Sequence, residues 1–171
     1  KEGLYASNGA ALAFVRRSAP NVPDPDIFCM ALPTQFDGYY PGFSANLKKF
    51  DDRLTWAVLK AHTHNNAGTV TLKSADPLEP PRIDFHYFEE GDDTQGRDLK
   101  ALVDAVQFIR ELNRPLLHCG LLTEEAPGPD AHTAPALAEY VRNNAWGHHA
   151  SCSCPIGLRA NGGVVDSSFA V

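Results

Sequence analysis

The chain has 171 residues, 43% of them hydrophobic, which suits one domain, or one and a fraction, with a sizeable core and argues against a disordered chain. Lys and Arg number 15 against 21 Asp and Glu, a net charge of -6 with His neutral, so no global basic field exists to hold nucleic acid. No apolar run approaches bilayer-spanning length, and Lys1-Glu2-Gly3-Leu4 has neither initiator Met nor signal-peptide architecture, as expected of a chain trimmed from a longer one.

Residues 11–17 and 27–32 are short apolar runs separated by Pro20, Pro23 and Pro25, which predicts two strands and a connection. Residues 54–62 form a third strand candidate. The turn Asn65-Asn66-Ala67-Gly68 follows, then the alternating, β-branched run Thr69–Lys73, so these two strands are expected to form an antiparallel hairpin. Asp76-Pro77 and Pro80-Pro81 hold the chain extended into Arg82-Ile83-Asp84-Phe85.

The first long helix is expected from Asp92 or Asp93 to about Asn113, with Leu99, Leu102, Val103, Val106, Ile109 and Leu112 at helical spacing and Pro115 closing it. Thr133 is a candidate N-cap for a second helix over residues 136–143. Strands followed by helices in one block predict an α+β fold: an antiparallel sheet of about five or six strands with both helices on one face. The four cysteines, at positions 29, 119, 152 and 154, are too sparse for a disulfide framework, and Cys152 and Cys154 are too close to bridge easily. Cys152 and Cys154 read as small, buried packing residues, and the sparse cysteines favour a reducing, cytoplasmic compartment.

Beyond the second helix runs Trp146-Gly147-His148-His149-Ala150-Ser151-Cys152-Ser153-Cys154-Pro155-Ile156-Gly157, and then Gly163-Val164-Val165-Asp166. Spacing alone leaves three readings of this stretch. The His pair is a helix-end cation, worth about 0.3–1 kcal/mol against the helix dipole. Alternatively, with His62-Thr63-His64, His118-Cys119 and the Cys152/Cys154 pair, it supplies zinc ligands, although no two-pair or H-E-x-x-H spacing occurs. A Ser-His-Asp hydrolase is the weakest reading, since there is no G-x-S-x-G elbow.

The turn resembles the active-site turn of the glucose-methanol-choline (GMC) flavin oxidoreductases. Further pieces resemble the substrate domain of that family, in its order: Gly3-Leu4-Tyr5 with Asn8-Gly9, Pro25-Asp26-Ile27, Gly38-Tyr39-Tyr40-Pro41-Gly42, the run Gly68–Pro77 continuing to Pro81-Arg82-Ile83, Asp92, and Pro127-Gly128. The commonest family form has Gly-Thr-Cys where Cys152-Ser153-Cys154 stand here, an arrangement nearer the choline dehydrogenase branch. The usual basic-Met pair is replaced by Pro155-Ile156.

The resemblance implies oxidation of an alcohol, with His149 as catalytic base and His148 beside the substrate. An imidazole, with an ordinary pKa of about 6.5, suits removal of a hydroxyl proton and typically contributes about 10²–10⁴-fold in rate. The resemblance also implies FAD, but the fingerprint G-x-G-x-x-G is absent. Cofactor binding is therefore expected mainly from an FAD-binding domain in the same or another chain, and this segment is expected to be inactive alone. Residues 1–145 would be the substrate-binding domain, and residues 146–171 the His turn and the start of a segment returning toward the FAD domain. Without that domain the tail is expected to be mobile or to pack through a foreign contact. A flavin-free binding module reusing the same fold is the alternative.

Overall fold

The computed structural model describes residues 9–171 except Lys48, Asp51, Ala150 and Cys152, so the fragments Gly3-Leu4-Tyr5 and Asn8 lie outside the described residues. Strands β1 (Leu12–Arg16), β2 (Ile27–Leu32) and β3 (Thr55–Lys60) make one antiparallel sheet in the order β1-β2-β3. The register sets Phe14 opposite Cys29 and Cys29 opposite Val58. β2 is central because all six of its residues are apolar, and its alternation buries Ile27, Cys29 and Ala31 on one face.

Helix α2 (Arg97–His118) covers that face. Ala101 and Ala105, one turn apart, bring its backbone close to Ile27 and Cys29, with Ile109 completing the cluster and Phe14, Trp56 and Val58 flanking it. Burial pushes the Cys29 thiol up to about 11, against a smaller opposing pull from Arg16, which keeps it neutral and inert as a packing residue. Helix α3 (Ala134–Asn144) lies on the far side of α2, where Leu137 and Val141 meet Leu99, Val103 and Ala131. The layers therefore run sheet, α2, α3.

This corrects the expected arrangement in two respects. The helices do not share one face of the sheet: α2 carries apolar residues on two sides and separates α3 from the strands. Nor is there one sheet of five or six strands. Strands β4 (Thr69–Thr71) and β5 (Arg82–Asp84) pair only with each other, setting Val70 opposite Ile83. The hairpin expected between residues 54–62 and 69–73 does not form, because the chain leaves β3 at Ala61. There the left-handed His62 (φ 51°) and an anchor at His64 redirect it.

Helix limits also shift. α2 starts at Arg97 because Gly96 is left-handed (φ 62°) and the Asp93 carboxylate accepts from the Asp98 N–H at 2.8 Å and Arg97 Nε at 3.3 Å. Pro115 sits inside the helix and does not stop it. Gly120 (φ 74°) does, with Leu121 N bonded to Leu116 O at 3.0 Å and Gly120 N to Leu117 O at 3.2 Å, the paired bonds of a Schellman cap. Thr133 caps α3 as expected, its hydroxyl accepting from Ala136 N at 3.3 Å. A short helix α1 (Phe43–Asn46) between β2 and β3 carried no sequence signal.

Candidate functional site

The C-terminal end of α3 delivers the His pair. After Asn144 the chain becomes extended at Ala145 (φ -69°, ψ 137°), whose N–H still bonds Val141 O at 2.8 Å. Trp146, Gly147, His148 and His149 follow, all exposed. Gly147 lies close under the Tyr87 hydroxyl, which would be 3.3 Å from an added Cβ and would have to shift by a few tenths of an ångström.

The site's second wall is the loop between β2 and α1, bound to the sheet through Thr55. The Thr55 hydroxyl donates to Thr34 O at 2.7 Å and accepts from Phe36 N at 3.0 Å. Gly38 (φ 103°) lets the loop lie on the Trp146 ring, whose nearest atom would be 3.8 Å from an added Cβ.

Rings from the two walls then form a ladder. Tyr39 meets Trp146 edge-on at 5.6 Å and His148 edge-on at 5.0 Å. Trp146 stacks on His148 at 4.9 Å with 23° between planes, and His148 lies 4.1 Å from His149. Phe36 and Phe43 back Tyr39 at 5.2 and 4.9 Å. Among the described residues, neither imidazole has a hydrogen-bond partner. Ring contacts hold them.

His148 and His149 are thus together, solvent-facing and outside the core. The first residues of the tail dock on the protein's own loop through Trp146. Farther on, Gly157 N bonds Val165 O at 2.9 Å and Val164 N bonds Pro155 O at 2.8 Å, closing a loop around the 3-10 turn Arg159–Asn161. Cys154 is exposed and free, contrary to a buried packing role, and Cys152 lies outside the described residues. Trp56 flanks the core, while Tyr39 belongs to the site.

Other histidines are placed elsewhere. His64 Nδ1 is 2.8 Å from Asp98 Oδ1, and His118 is exposed at the end of α2. Among the described residues no three His, Cys, Asp or Glu side chains gather as metal ligands.

Sequence reasoning missed a buried ionic network at the far end of β3. Lys60 Nζ lies 3.1 Å from Asp26 Oδ2 and 3.6 Å from Asp98 Oδ1, with side-chain exposures of 5%, 1% and 2%. Ser18 donates to Asp26 through its N–H and its hydroxyl, both at 2.6 Å. His64 N and Asn65 N donate to Asp98 at 2.8 and 3.0 Å. Burial alone would raise the Asp26 pKa, but the Ser18 hydrogen bonds and Lys60 outweigh it and hold the carboxyl below its ordinary value. One signal was available: Asp98 falls on the apolar stripe of α2, one turn before Leu102.

Residues 64–171, well over half of the chain, match the C-terminal family model of GMC oxidoreductase. The chain belongs to the GMC oxidoreductase family. It is 35% identical over 92 residues to the oxygen-dependent choline dehydrogenases of Acinetobacter baumannii (strain AYE) and Pseudomonas aeruginosa (strain UCBPP-PA14), covering 53% of this chain and 16% of each relative. It is 28% identical over 175 residues to a glucose dehydrogenase [FAD, quinone] of Drosophila pseudoobscura pseudoobscura, covering 92% of this chain and 26% of that protein. The chain thus spans between a sixth and about a quarter of the length of these curated relatives. The His turn lies inside the region matched to the GMC family.

Proposed function

We propose that this chain is the substrate-facing, base-bearing part of a flavin-dependent oxidoreductase acting on CH-OH groups. The observation that carries the reading is the exposed imidazole of His149, fixed by ring contacts at the start of the tail and within the region shared with the GMC family. In this reading residues 1–145 form the substrate-binding layer, and residues 146–171 carry the His turn toward an FAD-binding domain in the same or another chain.

The side chains around the turn suit a flavin partner. The His149 imidazole, without a hydrogen-bond partner among the described residues, is exposed and lies against His148, so a proton acceptor faces outward at the start of the tail. FAD, when bound, supplies the hydride acceptor for the substrate carbon. His149 takes the hydroxyl proton, which is needed because an alkoxide releases hydride far more readily than a neutral alcohol. His148 borders the substrate. The phosphate-binding part of the cofactor site is assigned to sequence outside this segment, which has no G-x-G-x-x-G.

The test is His149→Ala in the FAD-loaded enzyme, followed by stopped-flow reduction with an alcohol substrate. Flavin reduction should slow by about 10²–10⁴-fold, the usual contribution of a positioned base, while FAD absorbance is retained. Unchanged reduction kinetics would remove His149 from the reaction.

A further inference from the structure

We propose that Trp146 and Tyr39 are positioning residues that set the orientation of His149 through His148; the role rests on the reading of His149 as the base. An imidazole on an exposed, extended segment is free to turn about two side-chain torsions. A general base must instead sit within hydrogen-bond reach of the proton it removes, and a misplacement of about 1 Å costs on the order of 10²-fold in rate. Catalytic imidazoles are commonly aimed by a hydrogen bond to one ring nitrogen. Among the described residues neither His149 nor His148 has such a bond, so another restraint has to act.

The rings provide it from two directions. Trp146 lies nearly parallel to His148, at 4.9 Å and 23°, and blocks movement along the ring normal. Tyr39 approaches His148 at 83° and Trp146 at 88°, which resists rotation within the plane. His148 then lies against His149, with centroids 4.1 Å apart.

The restraint does not originate in the tail. Tyr39 is backed by Phe36 and Phe43, and Phe36 N is bonded to Thr55 of β3. Rigidity therefore passes from the sheet through the Tyr39 loop to the His pair, as support of a functional side chain by packed neighbours requires. Neither Trp146 nor Tyr39 needs to touch substrate for this.

The experiment reads the ring itself. The protein, as wild type, Trp146→Phe, Trp146→Ala and Tyr39→Leu, is treated with diethyl pyrocarbonate at a pH where imidazoles are neutral, then digested with trypsin. Cleavage after Arg142 and Arg159 isolates the peptide 143–159, in which fragmentation distinguishes His148 from His149. The exposed His118 is the internal reference. Loss of one aromatic contact should raise the His149 rate relative to His118 by about 2- to 10-fold in Trp146→Ala and Tyr39→Leu, while Trp146→Phe, which keeps a ring, stays near wild type.

Unchanged His149 reactivity in both ring-removing variants would overturn the proposal. If circular dichroism shows that Trp146→Ala does not fold, Tyr39→Leu decides alone. In the FAD-loaded enzyme, Trp146→Ala should lower kcat with little change in KM, and Trp146→Phe should restore it. Raised His149 reactivity in Trp146→Ala combined with normal flavin reduction in His149→Ala would leave the ring ladder standing but overturn its positioning role, locating the failure in the base reading.

Discussion

Replacing Lys60 by Met tests the buried network that joins β3, the turn before β2 and the start of α2. Lys60 lies 3.1 Å from Asp26 and 3.6 Å from Asp98 and also donates to Ala61 O at 2.6 Å. At an effective dielectric of about 20, each ion pair is worth roughly 5 kcal/mol of gross attraction, most of it offset by the desolvation of the three charges. The net effect of the ion pairs is therefore small. Removing the cation is costly all the same, because two carboxylates, 1% and 2% exposed, then lose their counter-charge.

Breaking a buried pair typically costs about 3–5 kcal/mol. The low end, about 3 kcal/mol, is expected here, since Ser18 still donates to Asp26 and His64 and Asn65 still donate to Asp98. Urea unfolding at pH 7 followed by circular dichroism should show that loss. A melting scan should show a fall of about 6–12 °C, from about 2–4 °C per kcal/mol in a chain of this size. Adding Asp26→Asn to Lys60→Met should cost less than the two single losses summed, because one uncompensated charge disappears with it. A loss below about 1 kcal/mol in Lys60→Met would refute the reasoning.

Three other outcomes follow from the geometry. Leu137, with 0% exposure between α3 and α2, should cost about 2–5 kcal/mol as Leu137→Ala in the same unfolding assay. Asp26 has a folded pKa below its ordinary 3.8, so its ionised form contributes stability above the unfolded pKa, and that contribution is lost as pH falls through the folded value. The gap in unfolding free energy between wild type and Asp26→Asn should therefore be level from pH 7 to about pH 5 and close below about pH 4. A Cβ at Gly163 would lie 2.1 Å from the Gly157 carbonyl oxygen, a backbone atom that cannot swing aside. Gly163→Ala should abolish hydrogen-exchange protection at Gly157 and Val164, whose N–H groups close the tail loop, while protection in α2 is retained.

Local features were legible because their causes are local. The six-residue apolar run Ile27–Leu32 lies at the centre of the sheet as its composition demands, and Thr133 caps α3 because a hydroxyl at that position meets an unpaired N–H. Pro115 misled the reading of α2, since a proline in the last turn forfeits little when a left-handed glycine five residues later closes the remaining carbonyls. The hairpin expected after β3 failed for a nonlocal reason: His64 and Asn65 are drawn to Asp98 on the distant helix α2.

The sequence by itself determined the strands and the two long helices, the family resemblance, and the His148-His149 pair with its flanking small residues. Periodicity, caps and motif order act over a few residues and need no partner. Only the tertiary structure decided that α2 lies between the sheet and α3, that the strands divide into two sheets, that Lys60 joins Asp26 and Asp98, and that Tyr39 reaches Trp146 and the histidines. Those arrangements depend on which surfaces meet, and a surface contact between segments far apart in the chain leaves no spacing in the sequence from which to read it.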